Sequence, residues 1–463
     1  MMATQFTFVP PAPVPLDAPL NRVVGARRLL SDPLSMWTKR HFTEWVLSGK
    51  SLFGHITIVS APDTIREFMV ERAANYGKDA MQQRILKPSL GKGLFTAEGQ
   101  SWRMQRRALA GLFTPRTVAG FVGAMAAAAD ATVDRWLTHR GRAPKLLQVD
   151  REMTLLTLDA LDRSIFSDGL GSDRAAVHRA QSAYFAAVGN VDPLDLFGAP
   201  AWLPRVGRLR AAPVKRWFDT LVDRVVAERR ALLAADPAAA PRDLLTLLFE
   251  ARDPESGDGL SPEIIRDNVL TFLAAGTETT AGTLAWALFL LSQDTAARDR
   301  IEAEVDAVTQ GGPVTAEHLP ALVWTRAVID ETLRLYPTAP LIQRMAIEAD
   351  ELHGVAVPPG SLVVYAPWVL HRHQQLWDEP GAFRPERFLP GAREAIDRFA
   401  YLPFGAGPRV CIGSSFALQE AVVSLASIVR RARLALLPGT IVMPEHRITL
   451  RPRGGLPMLV TRR

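Results

Sequence analysis

At 463 residues, with 48% hydrophobic and 22% charged side chains, the chain carries enough apolar material for a large packed core and is neither disordered nor fibrous in composition. Its single cysteine excludes an internal disulfide, a four-cysteine zinc site and an iron–sulfur cluster held by this chain alone, and points to a reducing compartment, the cytoplasm. The net charge of +6 rests on scattered arginines, seven of the 54 basic residues being lysine, so no basic stripe marks a nucleic-acid partner.

Residues 1–25 read as an extended arm, because prolines at 10, 11, 13, 15 and 19 hold the backbone open. No basic stretch leads into an apolar core there, as a signal peptide or membrane anchor requires. Residues 26–463 are expected to form one domain. Ile56-Thr57-Ile58-Val59 predicts a strand and Pro62 a helix start. Residues 102–248 carry Ala, Leu and Arg at helical spacing, interrupted at Gly141, 169–171 and 193–204. A long helix is predicted from Ser261, with Pro262 in its first turn, to beyond Trp286. Its apolar run, 269–291, is long enough to span a bilayer. Glu278, set among threonines near the middle, would be costly against lipid, so a buried central helix is expected and no transmembrane segment. Further strands are predicted at 355–357, 362–365 and 448–450, giving a mainly α fold with a smaller β region (α+β).

The lone thiol is Cys411, in Phe404-Gly405-Ala406-Gly407-Pro408-Arg409-Val410-Cys411-Ile412-Gly413, just before an apolar helical run. Glycines at 405, 407 and 413 permit turns barred to bulkier residues and let amide N–H groups approach the sulfur. Those donors and a helix start near Ser414 favour thiolate over thiol. Haem iron takes one axial cysteine thiolate and needs no second cysteine. The competing reading is a buried structural cysteine. Within the long helix, Ala275-Gly276-Thr277-Glu278-Thr279-Thr280 sets polar residues among aliphatics. Gly276 costs about 1 kcal/mol against Ala in a helix interior, which close packing or ligand approach would explain. From Thr279 a hydroxyl reaches the carbonyl of Ala275 and bends the helix, opening a groove sized for dioxygen and water. The competing reading packs the threonines and leaves Glu278 at the surface. Glu331 and Arg334 are three apart on one helix face.

Taken together, F-x-x-G-x-R-x-C-x-G at 404–413, Trp102 with Arg106, the hexapeptide at 275–280, Glu331 with Arg334, and Phe383-Arg384-Pro385-Glu386-Arg387-Phe388 resemble the cytochrome P-450 (haem-thiolate monooxygenase) family, soluble bacterial type, from about residue 50 to the C-terminus. The resemblance implies that fold, with haem b (iron protoporphyrin IX) between the long helix and the cysteine loop. Cys411 becomes the axial thiolate ligand, while Phe404, Ala275 and Gly276 line the cofactor. Trp102, Arg106, Arg409 and Arg344 clamp the propionates, each being on its own an ordinary solvated residue. Glu278 and Thr279 form an acid–alcohol pair that delivers protons, and Glu331, Arg334 and Arg387 form a structural network that sets the haem loop.

The implied reaction inserts one atom of O2 into a lipophilic small molecule, with electrons from a separate donor protein, a ferredoxin or flavodoxin with its reductase. Arg103 and Arg107 are candidates to face that donor. Apolar segments at 193–204, Leu341-Ile342 and Leu456-Pro457-Met458 resemble substrate-contacting regions. Two alternatives stay open: a peroxide-driven relative, and a non-catalytic haem protein that binds a ligand. His371-Arg372-His373 lacks a matching ligand set for a non-haem metal, and Gly91-Lys92-Gly93 lacks the third glycine of a dinucleotide loop.

Overall fold

The computed structural model describes residues 8–51, 54–138, 144–167, 169, 176–177, 179–180, 183, 193–196, 199 and 202–463. The expected breaks at Gly141 and at 170–171, and residues 197–198 and 200–201 of the expected apolar loop, lie outside them. Among the described residues the helices that frame the site are α1 (Gly99–Ala110), α2 (Val122–Leu137), α3 (Val149–Leu161), α4 (Val206–Ala235), α5 (Pro262–Gln293), α6 (Val323–Leu335) and α7 (Ser414–Val429).

α5 is the long helix the sequence predicts. Ser261 caps it, its Oγ accepting from Ile264 N at 3.3 Å, and Pro262 occupies the first turn, where no N–H is missed. It is buried along most of its length between α3, α6 and α7, so its apolar residues meet protein on several sides. Among the described residues no helix is long and apolar enough to cross a membrane. Near its end Trp286 stacks on Tyr336, with centroids 3.9 Å apart and planes 8° from parallel, and donates to Leu450 O at 3.4 Å. Both rings are fully buried, an aromatic pair that ties α5 to the end of α6.

One sheet runs β1 (Val46–Ser51), β2 (Gly54–Val59), β8 (Leu362–Tyr365), β5 (Ile342–Ala346), β3 (Tyr76–Gly77), with only the β2–β8 pair parallel. A second runs β4 (Lys145–Gln148), β12 (Pro457–Arg462), β9 (Ala432–Leu436), and two hairpins pair β6 (Asp350–Leu352) with β7 (Val355–Val357) and β10 (Pro444–His446) with β11 (Leu450–Pro452). Three expectations need correction. Residues 145–148 form an edge strand within the stretch read as helical: Leu147 is buried and Leu146 faces out, the alternation of a strand too short to read in sequence. The strand expected at 448–450 begins only at Leu450, since Ile448 and Thr449 make the hairpin turn. The extended arm ends at Asn21, which caps a helix at Arg22–Ser31 by accepting from Val24 N at 2.9 Å. Before that cap the arm lies along the body, Tyr336 Oη donating to Pro11 O at 2.8 Å and Phe383 N to Phe8 O at 2.9 Å.

Candidate active site

The cysteine loop is held in left-handed turns at Gly405 (φ 81°) and Gly407 (φ 71°), and a Cβ on Gly407 would stand 1.8 Å from Met69 O. Only glycine fits there. Gly413, grouped with these from sequence, has an ordinary φ of −86° and open space around it, so the backbone makes no such demand. Cys411 N donates to Phe404 O at 2.9 Å and closes the loop, and Phe404 packs on the main core. The Cys411 side chain has accessible surface, yet burial is the strongest influence on its thiol and pushes it up, while the Gly413 N–H and Arg106 pull it down. The sulfur thus combines accessible surface with a desolvated setting. Ala275 likewise is exposed although Phe272, Leu273 and Thr277 around it on α5 are buried.

Near Cys411 and near one another stand cations with few counter-charges. Burial pushes Arg106 on α1 down, with Cys411 opposing; it pushes Arg344 on β5 down, with Tyr365 and then Glu98 opposing; and it pushes Arg409 down, with Glu98 opposing. Lys78, which sequence reasoning missed, joins them: burial and then Arg409 push it down to about 7. Its Nζ donates to Phe95 O, Arg409 donates to Ala97 O at 3.2 Å, and Arg344 to Gln343 O at 2.8 Å. Among the described residues the only ion pair these four make is Arg409 with the half-exposed Glu98, at 3.8 Å. Trp102 lies under Arg409, the guanidinium 4.3 Å from the ring centroid.

Phe95 and Ala97 reach the cations because residues 91–97 are fastened to α5. Lys92 N donates to Asp267 Oδ2 at 2.7 Å, Leu94 N to Asn268 Oδ1 at 2.9 Å, and Asn268 Nδ2 to Gln105 Oε1 at 3.0 Å. A Cβ on Gly93 would meet Asp267 O at 2.6 Å, so Gly91-Lys92-Gly93 is a packing device.

In α5 Thr279 Oγ1 donates to Ala275 O at 2.8 Å, the bond the sequence predicts, and Thr277 and Thr283 repeat the pattern on Leu273 O and Thr279 O. A Cβ on Gly276 would lie 3.0 Å from Leu161 Cδ1, so close packing on α3 accounts for that glycine, while Ala275 carries the free surface. Glu278 is partly buried; desolvation raises its proton affinity, Arg451 lowers it and Asp150 raises it.

Beneath the loop, Arg334 uses all five donors: Nε and one Nη on Glu331 at 2.6 and 2.7 Å, the rest on His371 O, Pro380 O and Ala382 O at 2.7 to 2.8 Å. Arg387 stands 3.7 Å from Glu331 without a hydrogen bond, and the Arg384 N–H takes the second place on that carboxylate at 2.8 Å. The expected triad is thus a bidentate pair closed by a backbone amide, with Arg387 at ion-pair range. His371 Nε2 accepts from Leu402 N at 2.9 Å and His373 stacks on Trp45, structural roles for both. Arg107, a candidate for the donor face, is held by Asp253 at 2.6 and 2.7 Å. The described part of 193–204 departs from its apolar expectation, since buried Asp195 holds Arg205 and Arg208 beside a cleft of about 940 Å3.

The family model for Cytochrome P450 matches residues 39–457. Cyclooctatin synthase of Streptomyces melanosporofaciens is 34% identical over 395 residues, covering 84% of this chain and 83% of that protein. Cyclooctat-9-en-7-ol 5-monooxygenase of the same organism is 35% identical over 372 residues, with 80% and 78% covered. The crystal structure of the cytochrome P450DA heme domain superposes with a TM-score of 0.83 at 27% identity, over 98% of each chain. Fold and relatives together define the class, a monooxygenase. More narrowly, the chain belongs to the cytochrome P450 family, whose members carry haem.

The residues fit that cofactor. An accessible yet desolvated thiol offers one soft ligand, and four desolvated cations balanced by a single half-exposed carboxylate call for an anionic group such as a pair of propionates.

Proposed function

We propose that the chain is a haem b monooxygenase of the cytoplasm in which Cys411 would hold the iron as its thiolate ligand, acting on a lipophilic small molecule with electrons from a separate donor protein, a ferredoxin or flavodoxin with its reductase. The observation that carries this reading is the glycine-turned loop that presents a single accessible yet desolvated Cys411 thiol beside Arg106, with Lys78, Arg344 and Arg409 grouped near it. Bound through that sulfur, haem supplies the redox-active iron at which O2 is reduced and split. The cations, with Trp102, would hold its carboxylates and fix its orientation.

Burial makes Glu278 hold a proton more tightly than a free carboxyl, the direction a proton donor requires. Thr279 presents its hydroxyl at the α5 surface beside Ala275, where it orders the water through which that proton travels. The aliphatic stretch of α5 excludes bulk water from the same space. The relatives' names, a cyclooctat-9-en-7-ol monooxygenase among them, favour an unsaturated, weakly polar substrate skeleton.

The test is the carbon monoxide difference spectrum of the reduced protein, in wild type and in Cys411→Ser and Cys411→His. A thiolate-type band in wild type that vanishes in both variants is expected. The same band persisting in either variant would remove Cys411 as the ligand.

A further inference from the structure

At the start of α4 the usual places of polar and apolar side chains are exchanged. Arg205, just before the helix, is 3% exposed, whereas Trp202, three residues earlier, is 79% exposed. The arginine is drawn in by Asp195, its Nε donating to Oδ1 at 3.1 Å, and by the carbonyls of Leu203 and Ala199 at 2.6 and 2.9 Å. Arg208 donates to the other oxygen of Asp195 at 2.8 Å. Two arginines on one buried carboxylate fasten this end of the helix to the body, and that anchorage decides which side of it faces out.

The outward side is apolar. Val206, Leu209, Pro213 and Trp217 follow one another at spacings of three and four, so they share one face, and all four are exposed, Val206 at 60% and Leu209 at 63%. The side of α4 that meets the core is a separate one: Ala211, Leu221, Val222 and Val225 are buried, and the helix packs on α5. Past Trp217 the outer face continues with exposed Thr220 and Arg224, so the apolar stretch ends there. A contiguous apolar face of this kind does no packing within the chain and marks a surface that meets something else. Residues 202–217 also hold five basic side chains and no acidic one. Arg205 and Arg208 are engaged by Asp195, and Lys215 by Asp219 at 2.6 Å. Arg210 and Arg216 border the stripe, one on each side, are exposed and, among the described residues, make no ion pair.

We propose that Trp202 and the first three turns of α4 form a docking surface for a lipid bilayer that carries anionic headgroups. Tryptophan rings settle at headgroup depth, aliphatic side chains enter the acyl boundary, and bordering arginines meet lipid phosphates. The helix lies along the bilayer surface and does not cross it, because its other side is committed to α5. The inference does not depend on the haem-thiolate reading; under that reading it brings the enzyme to the phase in which lipophilic substrates dissolve.

The experiment is co-sedimentation of the purified holoprotein with vesicles of phosphatidylcholine, with and without phosphatidylglycerol. Wild type is expected on the anionic vesicles, less tightly as salt rises, and far more weakly on the neutral ones. Trp202→Ser combined with Leu209→Ser should weaken that binding about tenfold, through the apolar area no longer buried. Arg210→Gln combined with Arg216→Gln should weaken it about thirtyfold, at about fivefold for each arginine, and flatten the salt dependence. All four side chains are exposed, so both variants should keep the wild-type melting temperature and haem spectrum. Wild type that stays off the anionic vesicles overturns the proposal, as does wild-type binding by the serine variant. Sedimentation velocity in lipid-free buffer tests the other occupant: a wild-type dimer that the two serines dissolve would make this face a contact between copies of the chain and would equally overturn it.

Discussion

Thr279 and Glu278 are neighbours on α5 with different work. The threonine hydroxyl is committed to Ala275 O at 2.8 Å, and its oxygen lone pairs remain to accept from water. The carboxyl stands between Arg451 and Asp150, which move its proton affinity in opposite directions while burial raises it. Thr279→Ala removes the hydroxyl and leaves the apolar surroundings in place. Substrate binding is therefore expected to hold within about twofold, while product formed per reduced nicotinamide falls and peroxide rises. Glu278→Gln should slow turnover by about 10²-fold, as loss of a positioned proton donor does, and the double variant should be less impaired than the product of the two effects, as for groups that act as a unit. Unchanged coupling in both single variants would reduce the hexapeptide to helix packing.

The element that sets the cysteine loop is the segment from His371 to Leu402, and Arg334 is its clamp. Five N–H donors leave a fully buried side chain for one carboxylate and three carbonyls. Arg334→Lys keeps the charge but has three donors and no fork, so at least two acceptors lose their bonds, at about 1–3 kcal/mol each. Reduced haem content and a lower melting temperature are expected; wild-type values in both would show that charge alone suffices. Much of this element was legible in the sequence, because Glu331 and Arg334 are three apart on one helix and the glycine loop carries its chemistry within ten residues. What was hidden depends on partners distant along the chain. Nothing around Lys78 signals that Arg409 and Arg344 will stand beside it, and nothing near Gly93 signals that Asp267 will close on it. Arg387 matched the expected motif and stands at ion-pair range of Glu331, while the sequence did not signal that the Arg384 amide would hydrogen-bond the same carboxylate. Gly413 matched as well, but its φ shows that the spacing alone made it look like its neighbours.

For the molecule as a whole, acid is the expected weak point. His371 is buried and neutral: desolvation, then Arg334 and Arg372, push it from 6.5 down to about 3. Its Nε2 must stay unprotonated to accept from Leu402 N. A base with a depressed folded-state value contributes stability that is complete above 6.5 and is lost as pH falls from 6.5 toward 3, where the unfolded chain binds the proton and the folded one does not. Denaturant midpoints should therefore fall through that window, and His371→Gln, which keeps an acceptor but cannot titrate, should flatten the slope. Parallel slopes for the two proteins would mean that other groups govern acid unfolding. The main sheet carries a different consequence. β2 finds its parallel partner only at residues 362–364, and β3 finds β5 at 345–346, while Gly407 must close onto Met69. β1 and β2 can close their own hairpin early, but the other edge of β2, and β3, leave the ribosome long before their neighbours are made and wait open, with pairings of such sequence separation slow to form. With Cys411 as the proposed ligand, haem would be captured only after both sheet halves and the cysteine loop have been synthesised. Cells short of haem should then accumulate full-length protein whose exposed strand edges, rather than truncated fragments, are what chaperones and proteases recognise.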